Sequence, residues 1–423
     1  MSLLPLEERL AILAAGARYD ASCASCDGAP RGGNVPSGVC HSWSTDGRCI
    51  SLLKILLTNA CCYDCAYCLN RRSNDQPRTS LTPSEIAGLT VEFYRRNYIE
   101  GLFLSTGVVA NPDYTMELLI EAARLLRHRH GFAGYIYLKL VPGADPRLIA
   151  TAAGLADRVS VNIELPSALS LAQIAPDKDK EAILAPMRQI HAGIASRQEP
   201  GRGRHRPPTF APGGQSTQLI VGASPEDDRQ ILQLATGLYR QMELRRVYYS
   251  AYVPLSQDTR VPALAAPPLL REHRLYQADW LLRRYGFTVD ELLDASHPHL
   301  DLQLDPKAAW ALRHRGFFPI EVNRAAYQEL LRVPGIGTVS ARRIVQARRG
   351  GPLHLEDLGR LGVVMKRARW FVTAAGRYGG DRDPDSPRLA ALLQAERRPR
   401  QLGLFDPPPT APALPEESYG MPL

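Results

Sequence analysis

Four cysteines fall within eight positions in the stretch LLTNACCYDCAYCLNR, residues 56–71. Cys61, Cys65 and Cys68 form a C-x3-C-x2-C pattern directly after a β-rich run. Thiolates are the favoured ligands of iron–sulfur clusters. Three of them around one face of a [4Fe–4S] cubane leave one iron without a protein ligand. An open coordination position is what a reactive metal site has and a structural one lacks. Zinc normally takes four ligands, often as paired C-x2-C units, and this triplet fits that poorly. Cys62 falls inside the x3 gap and is read as unligated.

A second set, Cys23, Cys26, Cys40 and Cys49, is spaced C-x2-C-x13-C-x8-C and could hold zinc or a second cluster. Free buried cysteines are the alternative. Cys49 precedes the first β-rich run and Cys61 follows it, and a strand of about eight residues spans roughly 26 Å. A metal on this set is therefore expected to be a staple remote from the triplet.

The elements that must position the triplet follow a rhythm. The β-rich runs are ISLLKILLT (50–58), GLFLST (101–106), YIYLKLV (135–141), RVSVNIEL (158–165), STQLIVGA (216–223) and RVYYSAYV (246–253). Between them, stretches such as SEIAGLTVEFYRRN carry apolar residues at helical spacing. Six strands separated by helices imply parallel pairing through right-handed crossovers. The fold expected is α/β, a partial (β/α)6 TIM-type barrel, with an open doubly wound sheet as the competitor. The expected organisation is an N-terminal cysteine-containing segment 1–49, a barrel 50–290, a helical linker 291–316, a small all-α module 317–378 and a disordered Pro-rich tail 379–423.

Bulk composition agrees with a soluble chain. Of 423 residues, 45% are hydrophobic and 22% charged, and no apolar run reaches the roughly 18 residues of a membrane span. The N-terminus has no basic lead and carries Glu7 and Glu8, so a cytoplasmic location is expected, where cysteines serve metals rather than disulfides. The net charge of +8 is uneven: residues 313–400 hold 18 Lys plus Arg against 8 Asp plus Glu. That asymmetry points to a polyanionic partner.

The basic region contains YQELLRVPGIGTVSARRIVQARR (327–349), which resembles the helix-hairpin-helix motif of DNA repair proteins. Gly335 and Gly337 permit the tight turn and a close phosphate, the next helix offers its N-terminal N–H groups, and Arg342 and Arg343 add charge. A second copy, LEDLGRLGVVMKRARWFV (355–372), has Gly362 in its hairpin and Lys366 and Arg367 at the following helix. Paired hairpins of this kind grip the sugar-phosphate backbone; a protein-docking module is the alternative. In the tail, Gln401, Leu402, Leu404 and Phe405 resemble the short peptide by which bacterial replication and repair proteins dock on the sliding clamp.

The cysteine triplet after the first strand of a β/α repeat resembles the radical S-adenosylmethionine (SAM) superfamily. That resemblance implies a [4Fe–4S] cluster whose open iron chelates SAM, reductive cleavage to a 5′-deoxyadenosyl radical, and a flavodoxin or ferredoxin as reductant. Tyr67 matches the aromatic position that lies against the adenine. The strand-end matches carried over are Thr106 (with Ser105, in STG where the superfamily often has GGE), Lys139, Asn162, Glu164, Gln218 and Gly222. With the hairpins, the chain resembles a bacterial family of DNA modification or repair radical SAM proteins associated with a uracil-DNA glycosylase-like partner. The function expected is DNA base modification or repair. RNA modification, or a non-catalytic DNA-binding protein with a structural cluster, are the alternatives. Cys62, Tyr249 and Tyr252 are guesses for substrate-side groups.

Overall fold

The computed structural model describes residues 4–20, 38–43, 49–198, 209–254, 258–380 and 388–394. The chain divides into two compact units, residues 1–302 and 303–423.

The first unit is built on one seven-stranded sheet in strictly sequential order. Its strands are β1 (Val39–Trp43), β2 (Cys49–Leu56), β3 (Gly101–Ser105), β4 (Tyr135–Lys139), β5 (Arg158–Ser160), β6 (Gln215–Val221) and β7 (Arg246–Ala251). Strands β2 to β7 pair in parallel, as the β/α rhythm expects. Among the described residues the sheet has two edges, β1 and β7, so it is a partial barrel. Strand β1 is an addition to the expected six. It pairs antiparallel with β2 and draws part of segment 1–49 into the barrel sheet.

Local sequence explains the helices that cover the sheet. Helix α1 spans Leu6–Ala17. Helix α2 (Pro83–Arg95) starts with Pro83 and a capping box between Thr82 and Glu85, which satisfies two end donors reciprocally. Asn111 caps α3 (Pro112–Arg124) and Asp145 caps α4 (Pro146–Leu155). Helices α5 (Ala168–Ile174), α6 (Lys180–Gln198), α7 (Asp228–Met242), α8 (Leu269–Arg284) and α9 (Val289–Leu292) complete the unit. Strands β3 and β6 are buried at every position, as a parallel sheet covered on both faces requires. Ile50, Leu52 and Cys40 pack with Phe103 and Tyr137, whose rings meet edge to face at 4.7 Å.

The second unit is mostly helical, with a three-stranded sheet that the all-α expectation did not include. Helix α10 (Pro306–Arg313) buries Ala308 and Trp310, and residues 303–316 of the expected linker fall within this unit. Strand β8 (Ile320–Glu321) pairs with β9 (Val372–Ala374), which pairs with β10 (Arg377–Tyr378). Between them come α11 (Tyr327–Arg332), α12 (Thr338–Ala347), α13 (Leu355–Arg360) and α14 (Met365–Ala368). Helix α15 (Arg388–Leu393) falls in the expected disordered tail and buries Leu389 and Leu393. No helix among the described residues is long and apolar enough to cross a membrane.

Candidate active site

At the C-terminal ends of the parallel strands lies a cavity of about 1240 Å³, counting the part open to solvent. Small-molecule sites usually span roughly 300–1,000 Å³, and the strand C-termini are where barrels carry their chemistry. Cys61, Cys65 and Cys68 all line it. So do Tyr67, Thr106, Lys139, Asn162, Glu164 and Gln218. Gly222 is not among the lining residues; it follows β6 and lies against Pro268.

The cysteine loop is held by backbone bonds on several sides. The Cys62 N–H donates to the Val108 carbonyl at 2.8 Å, and the Ala66 N–H to the Ile174 carbonyl at 2.8 Å. The Val108 N–H points to Cys61 Sγ at 3.4 Å. A Cβ on Gly107 would stand 2.3 Å from the Ala60 carbonyl oxygen. The glycine of STG thus lets the end of β3 lie against the cysteine loop. From below, Arg78 donates to the carbonyls of Asn59 and Asn70. From the side, Asp258 pairs with Arg71 and, at 2.7 Å, with Arg260, which also reaches Asp64 at 3.2 Å. One carboxylate beyond β7 therefore ties residues on both sides of Cys65 and Cys68.

Burial pushes the Cys65 thiol up to about 11 and the Cys68 thiol up to about 12. Both are therefore protonated at neutral pH until something supplies positive charge, which is what metal ligation does as it displaces the proton. Among the described residues no three His, Cys, Asp or Glu are grouped to hold a single metal ion. A cubane does not need that convergence, because each thiolate takes a different iron.

Beside the thiols runs a charged chain that the sequence did not reveal. Lys178, between α5 and α6, donates to Glu164 at 2.7 Å and to the Tyr67 hydroxyl at 3.2 Å. Burial alone would discharge this lysine, but Glu164, followed by Cys65, more than offsets that and raises it above its ordinary range. Glu164 itself has φ +62°, a left-handed conformation costing about 1–3 kcal/mol in a residue other than glycine. Its backbone stays there because its N–H donates to Gln218 and its carbonyl accepts from Ile220.

A second charged group enters from outside the strand pattern. After α1, the Asp20 carboxylate pairs with Lys139, and the Tyr19 carbonyl accepts from Gln218 at 3.0 Å. Lys139 and Gln218 are thus engaged by the N-terminal segment. Of the guessed substrate-side groups, Tyr252 lines the cavity, while Tyr249 faces the helices and donates to Asp279 at 3.3 Å. Cys62 is not among the lining residues.

The expected second metal site is corrected by register. Cys40 stands opposite Leu52, and Cys49 opposite Trp43. Directly opposed residues share a face and successive residues alternate. Cys49, three positions from Leu52, therefore points away from the face of Cys40, and one ion cannot take both. Cys23 and Cys26 lie outside the described residues.

In the second unit the two hairpins interlock. Gly335 has φ +89°, and a Cβ there would stand 2.6 Å from the Val364 carbonyl oxygen; the Val364 N–H donates to Gly335 at 2.9 Å. The Ser340 hydroxyl donates to Gly362 at 2.7 Å. Gly337 precedes α12 with no side-chain cap, and Arg342, Arg343 and Lys366 are exposed. Arg367 differs from expectation: it is half-buried and paired with Asp305. The peptide Gln401–Phe405 lies outside the described residues.

No family model matches the chain, and no curated protein matches it in sequence. Among solved structures it is similar to HydG, a maturase of the [FeFe]-hydrogenase, at 15% identity and TM-score 0.40, over 54% of this chain and 48% of that one. HydG from Carboxydothermus hydrogenoformans gives 12% identity and TM-score 0.39, over 54% and 50%. The tagged anSMEcpe with bound AdoMet gives 12% and 0.34, over 58% and 62%. The chain thus spans about half the length of HydG. At TM-scores below 0.5 these likenesses carry no functional weight; the cavity residues do.

Proposed function

We propose that this protein is a radical SAM enzyme acting on nucleic acid, with DNA base modification or repair as its reaction class. The observation that carries the reading is one cavity at the strand C-termini. It holds the Cys61, Cys65, Cys68 triplet beside the Tyr67–Lys178–Glu164 chain. Three soft thiols, that of Cys65 buried, suit a [4Fe–4S] cluster with one open iron. When bound, cluster and SAM together supply one-electron chemistry that breaks a sulfonium C–S bond and ends in hydrogen abstraction from the substrate.

The chain's own residues have distinct tasks in this reading. Glu164 and Lys178 offer an acceptor and a donor side by side, which matches the ammonium and carboxylate of an amino acid. Tyr67 and Asn162 line the wall beside them for the nucleoside part, with Thr106 at the end of β3. A purely structural cluster would need a fourth thiolate; Cys62 is not among the cavity residues, and Cys23 and Cys26 of the N-terminal set lie outside the described residues.

The nucleic-acid part rests on the second unit, where two interlocked hairpins sit in a strongly basic region. The same reading implies a flavodoxin or ferredoxin as electron donor. It also admits a uracil-DNA glycosylase-like partner and, through Gln401–Phe405, a sliding clamp. Reduced thiols at the site suit a reducing, cytoplasmic compartment.

The test is anaerobic reconstitution with iron and sulfide, followed by SAM, dithionite and damaged oligonucleotides. 5′-Deoxyadenosine should form with the wild-type chain and vanish with Cys61→Ala, and the mass of the DNA should change. A fully iron-loaded chain that never yields 5′-deoxyadenosine ends the enzymatic reading. A mass change confined to RNA moves the substrate to RNA.

A further inference from the structure

The cavity contains two charged groups with different partners. Lys178 pairs with Glu164 at 2.7 Å and donates to the Tyr67 hydroxyl at 3.2 Å. Burial works to raise the Asp20 carboxyl, but Lys139, Ser105 and Lys54 together outweigh it and hold the group below its usual range. The first adjoins the cysteines and so belongs to the cofactor. The second sits where β3 and β4 end, where Asp20 engages the Lys139 that the resemblance assigns to SAM.

We propose that Asp20 and Lys139 form a substrate-recognition pair that reads the edge of a nucleobase; this rests on the nucleic-acid reading above. Both side chains are mostly buried, at 17% and 13% exposed, and both line the cavity. Their mutual contact leaves hydrogen-bonding capacity, since an ammonium has three N–H groups and a carboxylate about four lone-pair sites. Together they present an acceptor next to a donor. The complement is a lactam edge, N–H beside C=O, as in uracil, thymine or guanine. Cytosine and adenine carry the reverse order on that edge, a bare ring nitrogen where uracil and guanine carry N–H and an amine where they carry C=O, so a base held by its sugar in one orientation turns that nitrogen to the carboxylate. Tyr19 and Tyr252 line the same cavity. A base inside a duplex would have to be flipped out to reach this depth.

The test measures binding rather than turnover. Pentanucleotides carrying a single base between abasic positions, with uracil, thymine, guanine, cytosine or adenine as that base, are titrated into the full-length, cluster-loaded protein. The wild type should favour the lactam bases by roughly tenfold, the scale of one bidentate base contact. Asp20→Asn should bring the preference below about twofold, and Asp20→Glu should restore part of it. Equal binding of all five bases by the wild type overturns the proposal. So does an equal loss for every base in both variants, the mark of a purely structural ion pair. Base preference in a chain that makes no 5′-deoxyadenosine keeps the recognition pair and removes the SAM reading. 5′-Deoxyadenosine without base preference does the reverse.

Discussion

Lys178 shows how much of the site depends on one side chain far from any motif. Its ammonium and the Glu164 carboxylate are both mostly buried, at 14% and 11% exposed. Removing one partner of a buried pair strands the other charge, at a cost of about 3–5 kcal/mol. Lys178→Met is therefore expected to lower the melting temperature by several degrees and weaken SAM binding at least tenfold. An unaltered SAM affinity by equilibrium dialysis would show that Lys178 serves packing alone. Nothing in the local sequence hints at this residue, because PDKDK before α6 reads as an ordinary helix start and its partners lie 14 and 111 positions away. The cysteines are legible because spacing alone carries their chemistry. Asp20 is not, because it follows a helix outside the strand rhythm.

The strands were legible as elements because β-rich runs alternate with helical spacing, and five of the six end within three residues of where they were read. The fourth did not. RVSVNIEL pairs regularly only over Arg158–Ser160, since Glu164 turns left-handed and makes just an isolated bridge with Leu219. Strand β1 is not legible in the sequence, because five residues in a Gly-, Ser- and Pro-rich segment carry too little pattern. Two ties between elements can be tested. Asp258→Asn should loosen the clasp on the cysteine loop, seen as faster amide hydrogen exchange over residues 61–74 and quicker loss of iron to a chelator; wild-type exchange rates would refute the clasp. Between α1 and α2, Arg9 and the Thr82 cap hold the Glu85 carboxyl down from 4.5 to about 2. A carboxyl lowered by folding adds stability above its unfolded pKa and loses it as pH falls through the folded one. Glu85→Gln should therefore flatten the fall of melting temperature between pH 4.5 and 2, and an unchanged acid limb would remove Arg9–Glu85 as a stabilising tie.

At the scale of the whole molecule, one unit carries the cavity and the other carries the basic hairpins. If the hairpins hold phosphates, duplex affinity should fall steeply with salt, and replacing Arg342 and Arg343 by Glu should reduce the slope of log affinity against log salt by about two. A salt response unchanged by the double substitution would place nucleic acid elsewhere. The central claim, though, is the open iron in the first unit. Electron paramagnetic resonance of the anaerobically reconstituted, dithionite-reduced protein, recorded before and after adding SAM, addresses it directly. A reduced [4Fe–4S] signal that shifts on SAM addition is the expected result. A signal that stays the same at saturating SAM, with all four irons bound by thiolate, would contradict it.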